Sequence, residues 1–423
     1  MSVPLLSELK HNEVTQALDE DIDQSIHSST NTVSFFGTCL NGLNTLSGVG
    51  ILSVAYALAS GGWLSLILLF AISMVAFYTG ILVKRCMDMN CTIKTYPDIG
   101  HLAFGNIGKL IVSATMYTEL YLVVTGFLIL EGDNLNNLFQ NTEIEIGGLA
   151  IGGKQLFVIL VGLIILPTVL LDDLSLLSYI SASGVLACVI IICSIFSTAT
   201  FDGEIGFHEK GTLINWNGIP TAVSLYAFCY CAHPVFPSLY NSMRNKHQFS
   251  NVLLICFVLS TVGYASVAII GYLMFGAEVE SQITLNLPIN RISSRIAIYT
   301  TLVNPISKYA VMVTPITNAL KDLLPHQYKK NRLIGILINT TLVISTIIVA
   351  LTVPFFAYLT SLVGAFLSIT ASIILPCCCY LKISGTYNKF GCETVAIIII
   401  ILLGVVIGIF GTYTSLVEII NHL

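Results

Sequence analysis

Charge is what this sequence has least of. Aspartate, glutamate, lysine and arginine make up 10% of its 423 residues, against about 25% in an ordinary soluble domain. That scarcity excludes a soluble globular chain. With 55% hydrophobic residues and a mean hydropathy of +0.86, it implies a polytopic, all-α membrane protein. Other absences narrow the chemistry. There is no His-Glu-x-x-His run and no pair of intramembrane aspartates, so an intramembrane enzyme lacks its usual signatures. Neither repeated pore segments nor rings of charge point to a channel. No apolar leader opens the chain, whose first apolar run starts near Val33 after a polar, acidic tail. The 12 cysteines all fall in apolar runs or in segments read below as cytosolic, so no structural disulfide is expected. No metal, cofactor or nucleic-acid site is expected either.

A helix that spans a bilayer needs about 20 apolar residues. Eleven runs qualify, near 33–60, 63–83, 108–130, 155–171, 174–200, 216–240, 250–275, 294–320, 332–353, 355–380 and 394–417. Residues 333–380 carry no charge and are too long for one helix, and Pro354 marks the hairpin between two. Residues 1–32, with Asp19, Glu20, Asp21 and Asp23 clustered, read as a disordered tail. The connector 84–107 contains an amphipathic stretch at 96–104, a gate or a plain link. Asp172 and Asp173 fill a short turn as a cap.

The basic residues set the orientation. Of 18 lysines and arginines, thirteen fall on one side if the N-terminus is cytosolic. Only Lys154, Lys210, Arg291 and Arg295 fall on the other, and Lys308 lies within a span. That follows the positive-inside rule and sends the C-terminus to the lumen. The far-side loops are then acidic, with Glu131, Asp133, Glu143 and Glu145 in one and Asp202, Glu204 and Glu209 in another.

Two spans carry helix breakers. The first reads NGLNTLSGVGILSVAYAL over 41–58. Gly48 and Gly50 flank Val49, and each glycine costs roughly 1 kcal/mol against alanine in a helix interior. The sixth reads GIPTAVSLYAFCYCAHPVFPSLY, and Pro234 and Pro237 should unwind it near 229–233. Non-helical backbone at membrane depth persists only where protein buries it or it lines a cavity. Spans one to five (33–200) and six to ten (216–380) are nearly equal in length. Their odd number per half makes the second half inverted, and residues 394–423 add an eleventh span and a short tail. Interrupted helices at matching positions of inverted halves point to a transporter substrate site. Half-helix N-termini suit a carboxylate and freed carbonyls suit an ammonium, so an α-amino acid fits. The candidate binding residues are Thr45, Ser47, Gly48, Val49, Gly50, Cys229, Tyr230 and His233, with Tyr121 and Thr125 of span three as walls. Close packing through small residues is the plain alternative for the glycines.

Four motifs carry a family resemblance: GVGILSVAYAL in span one, YPDIGHLAFG after span two, LILEGDNL after span three and VNPISKYAVMVTPI in span eight. In that order they resemble the amino acid/auxin permease family. They are most similar to its plant vacuolar amino acid transporter clade, relatives of the vesicular inhibitory amino acid transporter. The resemblance implies an eleven-span, five-plus-five inverted repeat and proton-coupled transport of neutral amino acids by a monomer in the vacuolar membrane. It also implies a glutamate where this chain has Gly126. A sensor with the same fold and little flux is the alternative.

Ionisable groups inside spans are functional candidates by default. Lys308 in span eight is the foremost, because span eight and broken span one share a cation site in related folds. Its ammonium can stand in for that cation by binding carbonyls freed near 45–48, which argues against sodium coupling. Glu119 in span three and His233 in the second break are the other coupling candidates. Snorkelling, a structural hydrogen bond and a site-lining role are the respective plain readings.

Overall fold

The computed structural model describes residues 33–140, 144–146, 149–170, 177–201, 206–207, 211–325, 331–353, 355–388 and 391–422. The N-terminal tail, the Asp172–Asp173 turn, Glu143, Pro354 and the acidic residues Asp202, Glu204 and Glu209 lie outside these residues. The described chain is helical apart from one small hairpin. Helices α1 (Phe35–Leu46) and α2 (Gly50–Gly61) form one broken unit, bent by 50°. Then come α3 (Ser65–Met89), α4 (Tyr96–Leu138), strands β1 (Ile144–Ile146) and β2 (Leu149–Ile151), α5 (Gly153–Val169) and α6 (Leu177–Phe201). A second broken unit consists of α7 (Ile219–Cys229), a 3-10 turn His233–Val235 and α8 (Phe236–Ser242). It is followed by α9 (Phe249–Phe275), the short α10 (Ile283–Asn286), α11 (Ile292–Asp322) and α12 (Arg332–Thr352). Helix α13 (Phe356–Leu362) passes through π-helical stretches Val363–Ser368 and Thr370–Ile374 into α14 (Leu375–Ser384), and α15 (Cys392–His422) closes the chain.

Among the described residues, nine helical runs are long and apolar enough to cross a membrane, and the α1–α2 pair makes ten. The eleventh expected span falls at α5. Its 17 residues are apolar but rise only about 26 Å at 1.5 Å each, less than a hydrocarbon core. Large apolar side chains face outward, among them Leu402, Val406 and Phe410 of α15 and Ile107 and Leu110 of α4. In a bilayer that surface is solvated by lipid, so this is a multi-pass membrane protein.

One sequence expectation is borne out and one is corrected. The stretch at 96–104 forms a short helix of its own at the start of α4, set off by non-helical backbone at Phe104 and Gly105, where Gly105 takes φ 65°. Asp98 fixes that start by accepting the amides of Thr95 at 2.8 Å and Lys94 at 3.1 Å. At its other end α4 continues past residue 130 and carries Glu131 and Asp133 with it. Glu131 is therefore a fully buried helix residue, not part of an acidic loop. The helix can run on because Asp133 and Asn134 find partners there. Lys154 pairs with Asp133 at 2.5 Å, and Asn134 donates to Gln282 at 2.7 Å. The hairpin, with Ile144 opposite Ile151, was also not foreseen, because its strands are three residues each.

The two broken units are tied at both ends. At one end the Val33 amide donates to the Ser242 carbonyl at 2.7 Å and the Arg244 amide to the Val33 carbonyl at 3.0 Å. At the other, the Trp63 amide donates to the Thr212 carbonyl at 3.1 Å and the Asn215 amide to the Gly61 carbonyl at 3.0 Å. These ties hold the two breaks against each other.

Candidate functional site

The first break occupies Ser47 to Val49. Helix α1 ends as the Ser47 amide closes onto the Leu43 carbonyl at 2.6 Å, and the Gly48 amide turns back to the Leu46 carbonyl at 2.7 Å. Helix α2 starts at Gly50, where the Ile51 amide turns back to the Gly48 carbonyl at 3.4 Å and the Leu52 amide to the Val49 carbonyl at 3.1 Å, and it presents the positive end of its dipole to the break. A Cβ on Gly48 would meet nothing nearer than the Leu46 carbonyl at 4.0 Å. Gly50 is different. A Cβ there would stand 2.8 Å from Cys229 Sγ and 3.3 Å from Cys229 Cα. The start of α2 thus lies directly on the end of α7, and Gly50 is what permits that approach.

The second break covers Tyr230 to Ala232, between the end of α7 and the His233–Val235 turn. One hydroxyl joins the two breaks. Tyr264 of α9 donates to the Leu46 carbonyl and also lies 3.2 Å from the Cys229 carbonyl. The freed carbonyls of both breaks therefore converge on a single donor.

Lys308 of α11 reaches the first break from the other side. It is 6% exposed, and its Nζ donates to the carbonyls of Asn44 at 3.1 Å and Ser47 at 3.4 Å. The Cys188 thiol donates to the same Ser47 carbonyl at 3.4 Å. Gly184 of α6 is needed here, because a Cβ on it would overlap the Asn44 side-chain oxygen and stand 3.4 Å from Lys308 Cε. That oxygen is buried with no hydrogen-bond partner among the described residues. The Lys308 ammonium thus bridges two carbonyls at the end of α1.

Not every candidate gathers here. Ser47, Gly48, Val49, Gly50, Cys229 and Lys308 do. Thr45 stands next to the break, but its hydroxyl returns to the Asn41 carbonyl at 2.8 Å. Tyr230 points to α9, where its hydroxyl lies 2.9 Å from Thr261, which in turn is 2.6 Å from Ser73 of α3. His233 faces α3, with Nε2 3.0 Å from both the Thr79 hydroxyl and the Ala76 carbonyl. Glu119 accepts from Ser368, in the first π-helical stretch, at 2.7 Å. Tyr121 donates to Ser345 of α12 at 3.1 Å, and Thr125 bonds its own helix at the Tyr121 carbonyl, 2.9 Å away. Four residues at the site were not anticipated: Asn44, Cys188, Gly184 and Tyr264. A polar residue in an apolar span flags Asn44. The other three are ordinary span residues whose partners lie far off in sequence.

The sequence matches the family described as transmembrane amino acid transporter protein over residues 31–417. The chain belongs to that family. It is similar to amino acid transporter AVT1I of Arabidopsis thaliana, at 57% identity over 404 residues that cover 96% of this chain and 100% of that protein. Amino acid transporter AVT1J of the same plant is also 57% identical, over 96% of each chain. A more distant relative is the vesicular GABA transporter of Caenorhabditis elegans, 25% identical over 99% of this chain and 86% of its own length. For a transmembrane amino acid transporter, two facing helix breaks with converging carbonyls form a natural place for a zwitterion.

Proposed function

We propose that this chain is a secondary active transporter of neutral amino acids, coupled to protons, that works by alternating access in the vacuolar membrane. The observation that carries the reading is the convergence of the Leu46 and Cys229 carbonyls on the Tyr264 hydroxyl. Carbonyls from two separate helix breaks placed on one donor suit the ammonium of an α-amino acid. The N-terminal end of α2, with its positive dipole, then takes the carboxylate. Transport needs both contacts to be made and broken together: the two breaks share the ammonium contact, and the first also supplies the carboxylate contact.

Lys308 is assigned to gating and coupling. Its ammonium ties α1 to α11, so its charge state biases whether that half of span one stays closed. Glu119 and His233 are assigned to holding helices together. The neutral substrate range is taken from the likeness to the plant vacuolar clade. Where that resemblance implies a carboxylate this chain has Gly126, and a Cβ there would meet only Leu359 and Phe356, each at 3.9 Å. The fold assigned to this cycle is the five-plus-five inverted repeat, 33–200 and 216–380, with α5 as a short span. It has a cytosolic N-terminus and a luminal C-terminus.

The test is counterflow of a panel of labelled amino acids in vesicles containing the purified chain, with and without an imposed pH gradient. Counterflow of neutral amino acids, with net accumulation that follows the gradient, supports the reading. Binding without flux makes the protein a sensor, and accumulation indifferent to the gradient removes proton coupling.

A further inference from the structure

The LILEGDNL motif holds three polar side chains with different fates. Asp133 pairs with Lys154 and accepts Gln282 Nε2 at 3.0 Å. Asn134 Nδ2 donates to the Leu130 carbonyl at 2.8 Å and to Gln282 Oε1 at 2.7 Å. Glu131 is 0% exposed, and neither of its carboxyl oxygens has a hydrogen-bond partner among the described residues. It lies one helical turn from Asn134 on the same face of α4, toward the end of the bundle that bears the hairpin.

An ionised carboxylate cannot stay there unpaired, because its desolvation would exceed the stability of a typical domain. A neighbouring charge would relieve it, but the charged groups on the elements packed around α4 are committed elsewhere. Lys154 is held by Asp133, Arg295 donates to the Ile289 carbonyl at 2.7 Å, and Lys308 serves the first break. Glu280 acts on Asp133, and Tyr358 faces Glu418. The short α10 brings no ionisable side chain, only Thr284, whose buried hydroxyl is itself unpartnered. Fully buried, and with no hydrogen-bond partner for either oxygen among the described residues, the Glu131 carboxyl is accommodated as the neutral acid in this conformation.

We propose that Glu131 is a proton-binding site of the transport cycle, separate from Lys308. The neutral acid belongs to the conformation seen here. When the hairpin end of the bundle opens and water reaches α4, the O–H bond breaks and the proton leaves to water. The carboxylate then remains hydrated until it is reprotonated and buried again. This inference rests on the proton-coupled reading above. A glutamate kept only to fill space would have no need of a titratable group.

The experiment compares the full chain with Glu131→Gln, which keeps the volume but cannot ionise, and Glu131→Asp, which keeps titration. Counterflow at equal pH on both sides needs no net proton movement. The glutamine variant should retain it within about twofold of the wild type, while gradient-driven accumulation falls about tenfold or more. The aspartate variant should accumulate, with a shifted pH midpoint. Glutamine-variant accumulation that still follows the gradient overturns the inference, as does loss of counterflow in a variant whose thermal unfolding is unchanged. If the glutamine variant does not fold, the aspartate variant decides, and an unshifted midpoint overturns it. A wild type that ignores the gradient instead overturns the proton-coupled reading itself.

Discussion

The two helix breaks meet across the Gly50–Cys229 contact, yet they are built from opposite materials. The first is opened by glycines, and its carbonyls are held by side chains reaching in from other helices: Lys308, Cys188 and Tyr264. The second is opened by Pro234 and followed by Pro237, and its own side chains reach out. Tyr230 is fastened through Thr261 to Ser73, and His233 lies on Thr79 and Ala76. A break whose carbonyls depend on external donors changes shape when one donor changes. A break that anchors its own side chains in α3 and α9 moves with them. The difference assigns the moving part to the first break and the fixed part to the second.

If so, the largest effect should come from Lys308. Lys308→Met removes one donor from two buried carbonyls. A hydrogen bond to a charged group is worth about 1.5–3 kcal/mol, so the gate equilibrium should shift about tenfold to a hundredfold. Gradient-driven accumulation and counterflow in vesicles should both be lost, while equilibrium binding of a labelled amino acid stays measurable. Lys308→Arg should also fail, since a guanidinium does not deprotonate. A methionine variant that still concentrates substrate would remove Lys308 from the mechanism.

The next effect separates two glycines that look equivalent in the sequence. Gly50→Ala pushes a methyl group into Cys229, and overpacking of this kind costs about 1–3 kcal/mol. Gly48→Ala meets nothing nearer than the Leu46 carbonyl at 4.0 Å and should cost little. Substrate affinity, read by scintillation proximity binding, should fall roughly tenfold in the first variant and little in the second. Equal losses would mean that the contact between the breaks does not set affinity. Smaller still is Tyr264→Phe. It removes one neutral hydroxyl from Leu46 and Cys229, worth about 0.5–1.5 kcal/mol, and should weaken binding severalfold without changing expression. Unchanged affinity would separate the substrate from those carbonyls.

Much of this was legible in the sequence, for physical reasons. Apolar runs report spans because lipid demands them, and glycine and proline report breaks because they weaken helices from within. The position of Lys308 stood out because charge is so rare in the spans. What the sequence hid depends on partners. Asp133 and Glu131 are two residues apart in one motif, yet one meets Lys154 and the other meets nothing. No local pattern distinguishes them, so both read as loop acids. Tyr264 looks like any aromatic in an apolar helix, and its acceptors lie 218 and 35 residues away. The π-helical stretches of span ten contain no proline and one glycine, Gly364, whose missing Cβ admits the Ser224 carbonyl, and Ser368 in the same stretch donates to Glu119.

The smallest effect on transport should come from the residue that looks most like a proton carrier. His233 sits beside the second break and is fully buried. The Ala76 carbonyl can only accept, so Nε2 must carry the hydrogen and donate at 3.0 Å. Its ring stacks at a tilt on Phe236, with centroids 4.8 Å apart. Both contacts join the second broken unit to α3 or to itself, and neither faces the first break. His233→Gln keeps a donor of similar reach and cannot titrate near neutral pH. Thermal stability of the purified protein should fall by about 1 kcal/mol, the usual value of one neutral hydrogen bond. The pH profile of uptake should match that of the wild type, because the moving carbonyls and Lys308 are untouched. A displaced profile with unchanged binding would place the coupling proton in the second break and reverse the assignment of moving and fixed parts.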